Sequence, residues 1–138
     1  MRWILPFLVA SILLSVQGCV IVPDITGRWR LEIIDEQTLN FIFREYVMRV
    51  ENVDEDGNVD WEMSHSQCYG YSGTFDRESR RIELTFWCFN PFVGYYAYKM
   101  SGEVSGNTMG GTLWGKLEEE YDYSEYGVWS ATKTSDEL

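Results

Sequence analysis

Positive charge is scarce in this 138-residue chain: 11 Lys and Arg stand against 22 Asp and Glu, a net charge of −11. A surface of that sign repels phosphate backbones and anionic headgroups, which excludes nucleic acid as a partner. Histidine is rarer still, with His65 alone, and no nucleophile motif accompanies it. With no acid, base, nucleophile or metal set in view, the chain is expected to be no enzyme and to need no cofactor. Long apolar runs are missing too. The run from Trp3 to Val16 falls short of the roughly 20 residues that a membrane-spanning helix takes. No segment keeps a helical period with caps at both ends. Disorder is not the alternative, because 16% of the residues are aromatic, enough to build a core.

The amino terminus has one Arg, that short apolar run, and a small residue before Cys19, the layout of an export signal over residues 1–18. A retained anchor helix is the other reading. Val16-Gln17-Gly18-Cys19 resembles the lipobox of bacterial lipoproteins. The resemblance implies diacylglycerol on the Cys19 thiol, cleavage before Cys19 and acylation of the new amino terminus. Two or three acyl chains would hold the protein on a membrane almost permanently. An ordinary secretory signal with an incidental Cys is the alternative, and it would give a secreted protein. Val20 stands where an Asp would resemble an inner-membrane retention signal, which favours the outer membrane of a bacterial envelope if the host has one. The tail Ser135-Asp136-Glu137-Leu138 resembles the eukaryotic retention signal Lys-Asp-Glu-Leu, an address that the lipobox argues against.

Three cysteines are odd for an exported protein, but assigning Cys19 to lipid leaves Cys68 and Cys88 as a pair for one disulfide. The expected organisation is a signal over 1–18, a lipidated tether over 19–23, one domain over 24–134 and a tail over 135–138. Within the domain, β-like runs alternate with turn residues: 25–34, 40–53, 58–66, 69–75, 81–89, 95–104, 108–117 and 127–133. Alternation is clearest where Ile82, Leu84, Phe86 and Cys88 share one face. Eight short strands of even spacing predict an all-β antiparallel up-and-down meander that closes into a barrel, with a sandwich as the alternative.

Two end motifs carry a resemblance. Thr26-Gly27-Arg28-Trp29 opens the first strand, and Trp129-Ser130-Ala131-Thr132-Lys133 closes the last. Gly-x-Trp on a first strand resembles the lipocalin and avidin superfamily of barrels, and avidins end on a similar Trp-x-Ala-Thr-basic stretch. Val104-Ser105-Gly106-Asn107-Thr108-Met109-Gly110-Gly111-Thr112 is similar to hairpins of lipocalin-like bacterial envelope proteins of unknown function. The resemblance implies a lipocalin-like barrel with Lys133 lying across Trp29 to close one end by a cation–π contact. It does not imply biotin recognition, because Leu31 stands where avidins carry the ureido-binding Asn.

Candidate sites are few. Asn52-Val53-Asp54-Glu55-Asp56-Gly57-Asn58-Val59-Asp60-Trp61-Glu62-Met63 has the alternating acids of a calcium loop, yet Met63 falls where a bidentate carboxylate is needed. Asp-Gly between two apolar runs reads instead as a hairpin turn. His65 and Cys68 have a spacing that a metal accepts, without a second ligand pair nearby. Glu118, Glu119, Glu120, Tyr121, Tyr123 and Tyr126 interleave acid with aromatic and are a candidate surface for a basic protein partner, or else a solvated loop packing its tyrosines on the rim. Asn90-Pro91-Phe92-Val93-Gly94-Tyr95-Tyr96 is a second aromatic turn, suited to a barrel mouth. The expected function is non-catalytic: an envelope lipoprotein holding a small apolar ligand in the barrel mouth. A protein-interaction or structural role through segment 118–126 is the alternative.

Overall fold

Side chains that alternate in and out along eight strands determine the architecture. A computed structural model describes residues 24–38, 40–41 and 45–137. The expected signal, the tether with Cys19, and Leu138 lie outside the described residues. The strands are β1 (Gly27–Asp35), β2 (Glu45–Val53), β3 (Val59–Met63), β4 (Cys68–Asp76), β5 (Arg81–Asn90), β6 (Gly94–Ser105), β7 (Thr108–Leu117) and β8 (Ser124–Ser135). All pair antiparallel in one sheet, in the order β3-β2-β1-β8-β7-β6-β5-β4. β1 therefore sits beside β8, and the sheet curls until β3 and β4 meet: a nearly closed barrel, as the spacing of the runs predicts.

The pleat puts one face inward. Trp29, Leu31, Met48, Val50, Leu84, Phe86, Cys88, Tyr98, Met100 and Leu113 are all essentially inaccessible. Ile82, Leu84, Phe86 and Cys88 share that inner face. One row across the sheet runs Ile82, Gly102, Gly111, Trp129, Ile33 in register. The two glycines let the backbones of β6 and β7 approach closely there, and the Trp129 indole reaches across, donating from Nε1 to the Ser101 carbonyl at 3.1 Å. Large buried aromatics, Trp29, Phe86, Tyr98 and Trp129 among them, thus fill much of the interior.

The two barrel ends differ. At one, the first and last strands meet: Trp29 is the cross-strand partner of Lys133, whose Nζ lies 5.9 Å from the indole centroid. The Lys133 side chain is only 8% exposed and is held by the Asp24 carbonyl at 2.9 Å and the Asp136 carboxylate at 2.7 Å. The Trp29 indole donates to Ile25 O at 2.9 Å. This is the closed end. It also carries the 54–58 hairpin, where Gly57 at φ 87° takes the left-handed position of the turn. There the Asp54 carboxylate accepts from the amides of Asp56 and Asn58 and from Asn58 Nδ2, at 2.9, 2.8 and 3.0 Å.

Three boundaries depart most from expectation, the first being β3, which ends at Met63 and not at 66. Of the run expected as strand from residue 40, the described strand is Glu45–Val53; Asn40 and Phe41 are outside it, Phe41 buried in the barrel end, and 42–44 lie outside the described residues. β8 starts at Ser124, three residues before the expected 127, so part of the acidic tyrosine segment is strand. The Cys68–Cys88 disulfide is present and joins directly opposed residues of β4 and β5.

Candidate functional site at the barrel mouth

At the end opposite Lys133, the chain connections between β1 and β2, β3 and β4, and β5 and β6 surround a hollow of about 550 Å³. Its lining is partly aromatic. These rings are His65, Phe89, Phe92 and Tyr96; Phe41, next to Asn40 of the lining, is buried in the barrel and stands edge-on to Tyr46, His65, Phe86 and Tyr98, with ring centroids 5.2–6.1 Å away. Apolar walls come from the β5–β6 turn, where Phe89, Pro91, Phe92, Val93 and Tyr96 face the hollow. Phe92 is 94% exposed. Pro91 fixes its own backbone and helps hold that turn open.

The polar part of the lining is a set of amides and one imidazole. Asn90 Nδ2 donates to Asn40 Oδ1 at 3.0 Å, and Asn40 Nδ2 donates to the Tyr98 hydroxyl at 2.7 Å. The Tyr98 hydroxyl in turn donates to Asp35 Oδ2 at 3.0 Å. Asp35 is saturated below the hollow by the Gln37 amide, the Thr38 amide and the Thr38 hydroxyl. Burial first, and then the Asp35 charge, push the Tyr98 hydroxyl far above the ordinary phenol range. It therefore stays a proton donor at any physiological pH.

His65 is held in one state. Its Nδ1 receives the Gln67 amide at 3.1 Å, so the ring proton sits on Nε2, which donates to the Asn40 carbonyl at 2.7 Å. The described residues lining the hollow include no Asp, Glu, Lys or Arg. A hollow of this volume, mostly apolar with a few convergent amides, has the chemistry of a small-molecule site.

The sequence-derived candidates are spread over the barrel. Trp29 and Lys133 close the far end, and Cys68 and Cys88 pin β4 to β5 behind the mouth. Glu118, Glu119, Glu120 and Tyr121 are exposed on the β7–β8 connection. Tyr123 instead lies under two cations, 4.6 Å from Lys99 Nζ and 5.3 Å from Lys116 Nζ. Tyr126 turns toward the core, against Tyr96 and Tyr98 at 6.3 and 6.1 Å. His65 and Cys68 are not brought together with other acids or imidazoles; among the described residues no group of three or more His, Cys, Asp or Glu is placed to hold a metal. The polar residues of the mouth, Thr38 and Asn40, and Tyr98 and Asp35 bonded beneath them, carry no motif, and only the aromatic turn 90–96 pointed to the mouth. No protein-family model, curated protein or solved structure matches this chain.

Proposed function

We propose that this protein is a non-catalytic binder, carrying one small uncharged, largely apolar molecule at the mouth of the barrel. The single observation behind this is the mouth itself: about 550 Å³, walled by Phe89, Phe92 and Val93, with no formal charge among the described residues that line it, in a chain of net charge −11. Because the interior is packed with Trp29, Phe86 and Tyr98, the ligand stays at the mouth and does not enter the barrel axis. Its polar atoms, a carbonyl or hydroxyl, would meet the amides of Asn90 and Gln67. An ionised ligand would lose its hydration without gaining a counter-charge, so charge is selected against. The lipobox resemblance of residues 16–19 supports attachment to a bacterial envelope membrane through Cys19. Residue 24 enters at the closed end beside Lys133, so a lipid a few residues earlier sets the mouth facing away from the bilayer.

The test is fluorescence of a neutral environment-sensitive probe, N-phenyl-1-naphthylamine, titrated into the exported chain lacking Cys19. Phe92→Asp removes an exposed wall residue and places charge in the hollow. It is expected to weaken probe binding about tenfold or more, the worth of one lost apolar contact surface, with unfolding unchanged. Equal probe binding by the two proteins, or none by either after lipid extracts are offered, refutes the proposal.

A further inference from the structure

Beside the mouth, and sharing Phe89 with its wall, the outer face of β4–β6 carries aromatic rings where an antiparallel barrel normally presents polar side chains to water. Tyr69, Phe89 and Tyr95 are 47%, 38% and 41% exposed and touch in a row, with centroids 6.3 Å apart for Tyr69–Tyr95 and 5.2 Å for Phe89–Tyr95. Their register places them there: each follows or precedes an inward residue of the row Cys68, Cys88, Tyr96. The disulfide lies directly beneath, so the ridge stands on a cross-linked pair of strands. Few motions are open to it, and a rigid aromatic surface loses little entropy when it is covered.

The acidic segment borders this ridge. The Glu118 amide donates to the Tyr95 carbonyl at 3.1 Å. From Leu117 to Thr132 the chain carries Glu118, Glu119, Glu120, Asp122 and Glu125 and no Lys or Arg. Among the described residues the ion pairs are Arg30–Glu45, Arg49–Glu62 and Lys133–Asp136, and none uses a carboxylate of this segment. The nearest cations, Lys99 and Lys116, are already seated over Tyr123.

The geometry points to a docking surface for a basic peptide segment of another protein, in which aliphatic or aromatic side chains cover Tyr69 and Tyr95 while Lys or Arg meet Glu118 and Glu119. Charge complementarity picks this occupant. A polyanion or an anionic bilayer is repelled by the same carboxylates, and an acidic second copy of this chain is repelled too. Tyrosine faces next to carboxylates also receive ammonium and guanidinium groups by cation–π attraction, as Tyr123 already does within the molecule. The surface needs no ligand in the mouth, so it stands or falls separately from the mouth proposal.

The full chain, held in nanodiscs of zwitterionic lipid, is titrated into fluorescein-labelled peptides of alternating Lys and Leu, Glu and Leu, or Lys and Gly, read by anisotropy against empty nanodiscs. The Lys–Leu peptide is expected to bind about tenfold or more tighter than either other peptide, because it alone meets both ridge and charge. Tyr69→Ser with Tyr95→Ser is expected to weaken it about tenfold. Glu118→Gln with Glu119→Gln is expected to weaken it and flatten its salt dependence. Both variants alter exposed side chains and are expected to unfold as the parent does and to bind the naphthylamine probe unchanged. The inference is overturned by equal binding of the three peptides, by a tyrosine variant that binds Lys–Leu as the parent does, or by a dimer in the native mass spectrum that the tyrosine variant abolishes.

Discussion

Replacing Trp61 with Phe tests whether side chains complete the barrel. Among the described residues β3 and β4 share one bridge, Asn58–Thr74, and one amide–carbonyl bond, Phe75 N to Gly57 O, both near the closed end. Toward the mouth the two strands are joined by Trp61 Nε1 donating to Ser72 O at 2.8 Å and the Tyr71 hydroxyl donating to Met63 O at 3.4 Å. Phe at position 61 keeps a ring against Tyr71 and Phe86 but removes the donor. Losing this hydrogen bond costs about 0.5–1.5 kcal/mol, since the Thr85 hydroxyl also reaches the Ser72 carbonyl, and the smaller buried ring leaves a gap worth about 1 kcal/mol more. The sum, about 1.5–2.5 kcal/mol, is a sizeable share of the stability of a domain this size. Urea unfolding followed by circular dichroism is expected to show a lower midpoint at unchanged slope. Amides of β3 and β4 are expected to exchange faster than those of β6 and β7. The control is Trp114→Phe, whose indole bonds Ser101 Oγ at 2.9 Å on the outer wall, where water replaces it for about 1 kcal/mol or less. Equal small losses in the two variants would refute closure through Trp61.

Reducing Cys68–Cys88, which closes a separation of 20 residues, is expected to cost about 3 kcal/mol, measured as the shift in urea midpoint with and without dithiothreitol. Gly111→Ala places a Cβ 2.7 Å from Gly102 Cα and nearer still to the Ser101 carbonyl. Backbone must move, and a loss of about 3 kcal/mol is expected in the same unfolding assay, with Gly106→Ala, which meets nothing within 4 Å but sits at φ 60°, losing less. Burial is the leading cause that pushes Tyr71 and Tyr126 up to about 12. Folding thus favours the neutral phenols: their contribution is intact below the unfolded value near 10 and is lost as pH rises through about 12. Tyrosinate absorbance and circular dichroism recorded together from pH 9 upward are expected to show a late tyrosinate step that coincides with unfolding.

The eight strands were legible because one face had to be apolar and the other wet. In Ile82, Leu84, Phe86 and Cys88 the inward set is uninterrupted, and the observed strand matches the expected one to within a residue. Phe41 was not legible as a plug. A run that is apolar on both faces carries no phase, and only the barrel end above Phe86 and Tyr98 decides that Phe41 points inward. The closure partners Trp29 and Lys133 could be paired from their end motifs, because a barrel brings first and last strands together whatever lies between. The mouth could not. Asn40 meets Tyr98 across 58 residues and Asn90 across 50, and amides that find each other through three connections leave no spacing to read. The aromatic turn 90–96 was the one local trace, since large apolar residues at a turn have no core to enter.

The acidic hairpin shows how a cluster that reads as a cation site can be spent on the backbone instead. Asp54 accepts the amides of Asp56 and Asn58 and the Asn58 side chain, and those bonds, the side-chain one foremost, hold its carboxyl below the ordinary range. A carboxylate with that many donors has few lone pairs left for a metal, and Gly57 supplies the turn that the strands need. Asp54→Asn keeps an acceptor in place and is expected to unfold close to the parent; Asp54→Ala removes it and is expected to unfold earlier, most visibly toward pH 7, where the paired carboxylate is ionised. Calcium separates the two accounts. A cation bound in this loop would stabilise the fold by about 1.4 kcal/mol at tenfold its dissociation constant, a gain that either substitution would abolish. A backbone cap predicts instead the same thermal midpoint with millimolar calcium as with chelator, and an Ala variant that calcium does nothing to rescue. A calcium-dependent rise in the parent midpoint, absent from Asp54→Asn, would mean that the carboxylate is held ready for a metal and that the turn is only its scaffold.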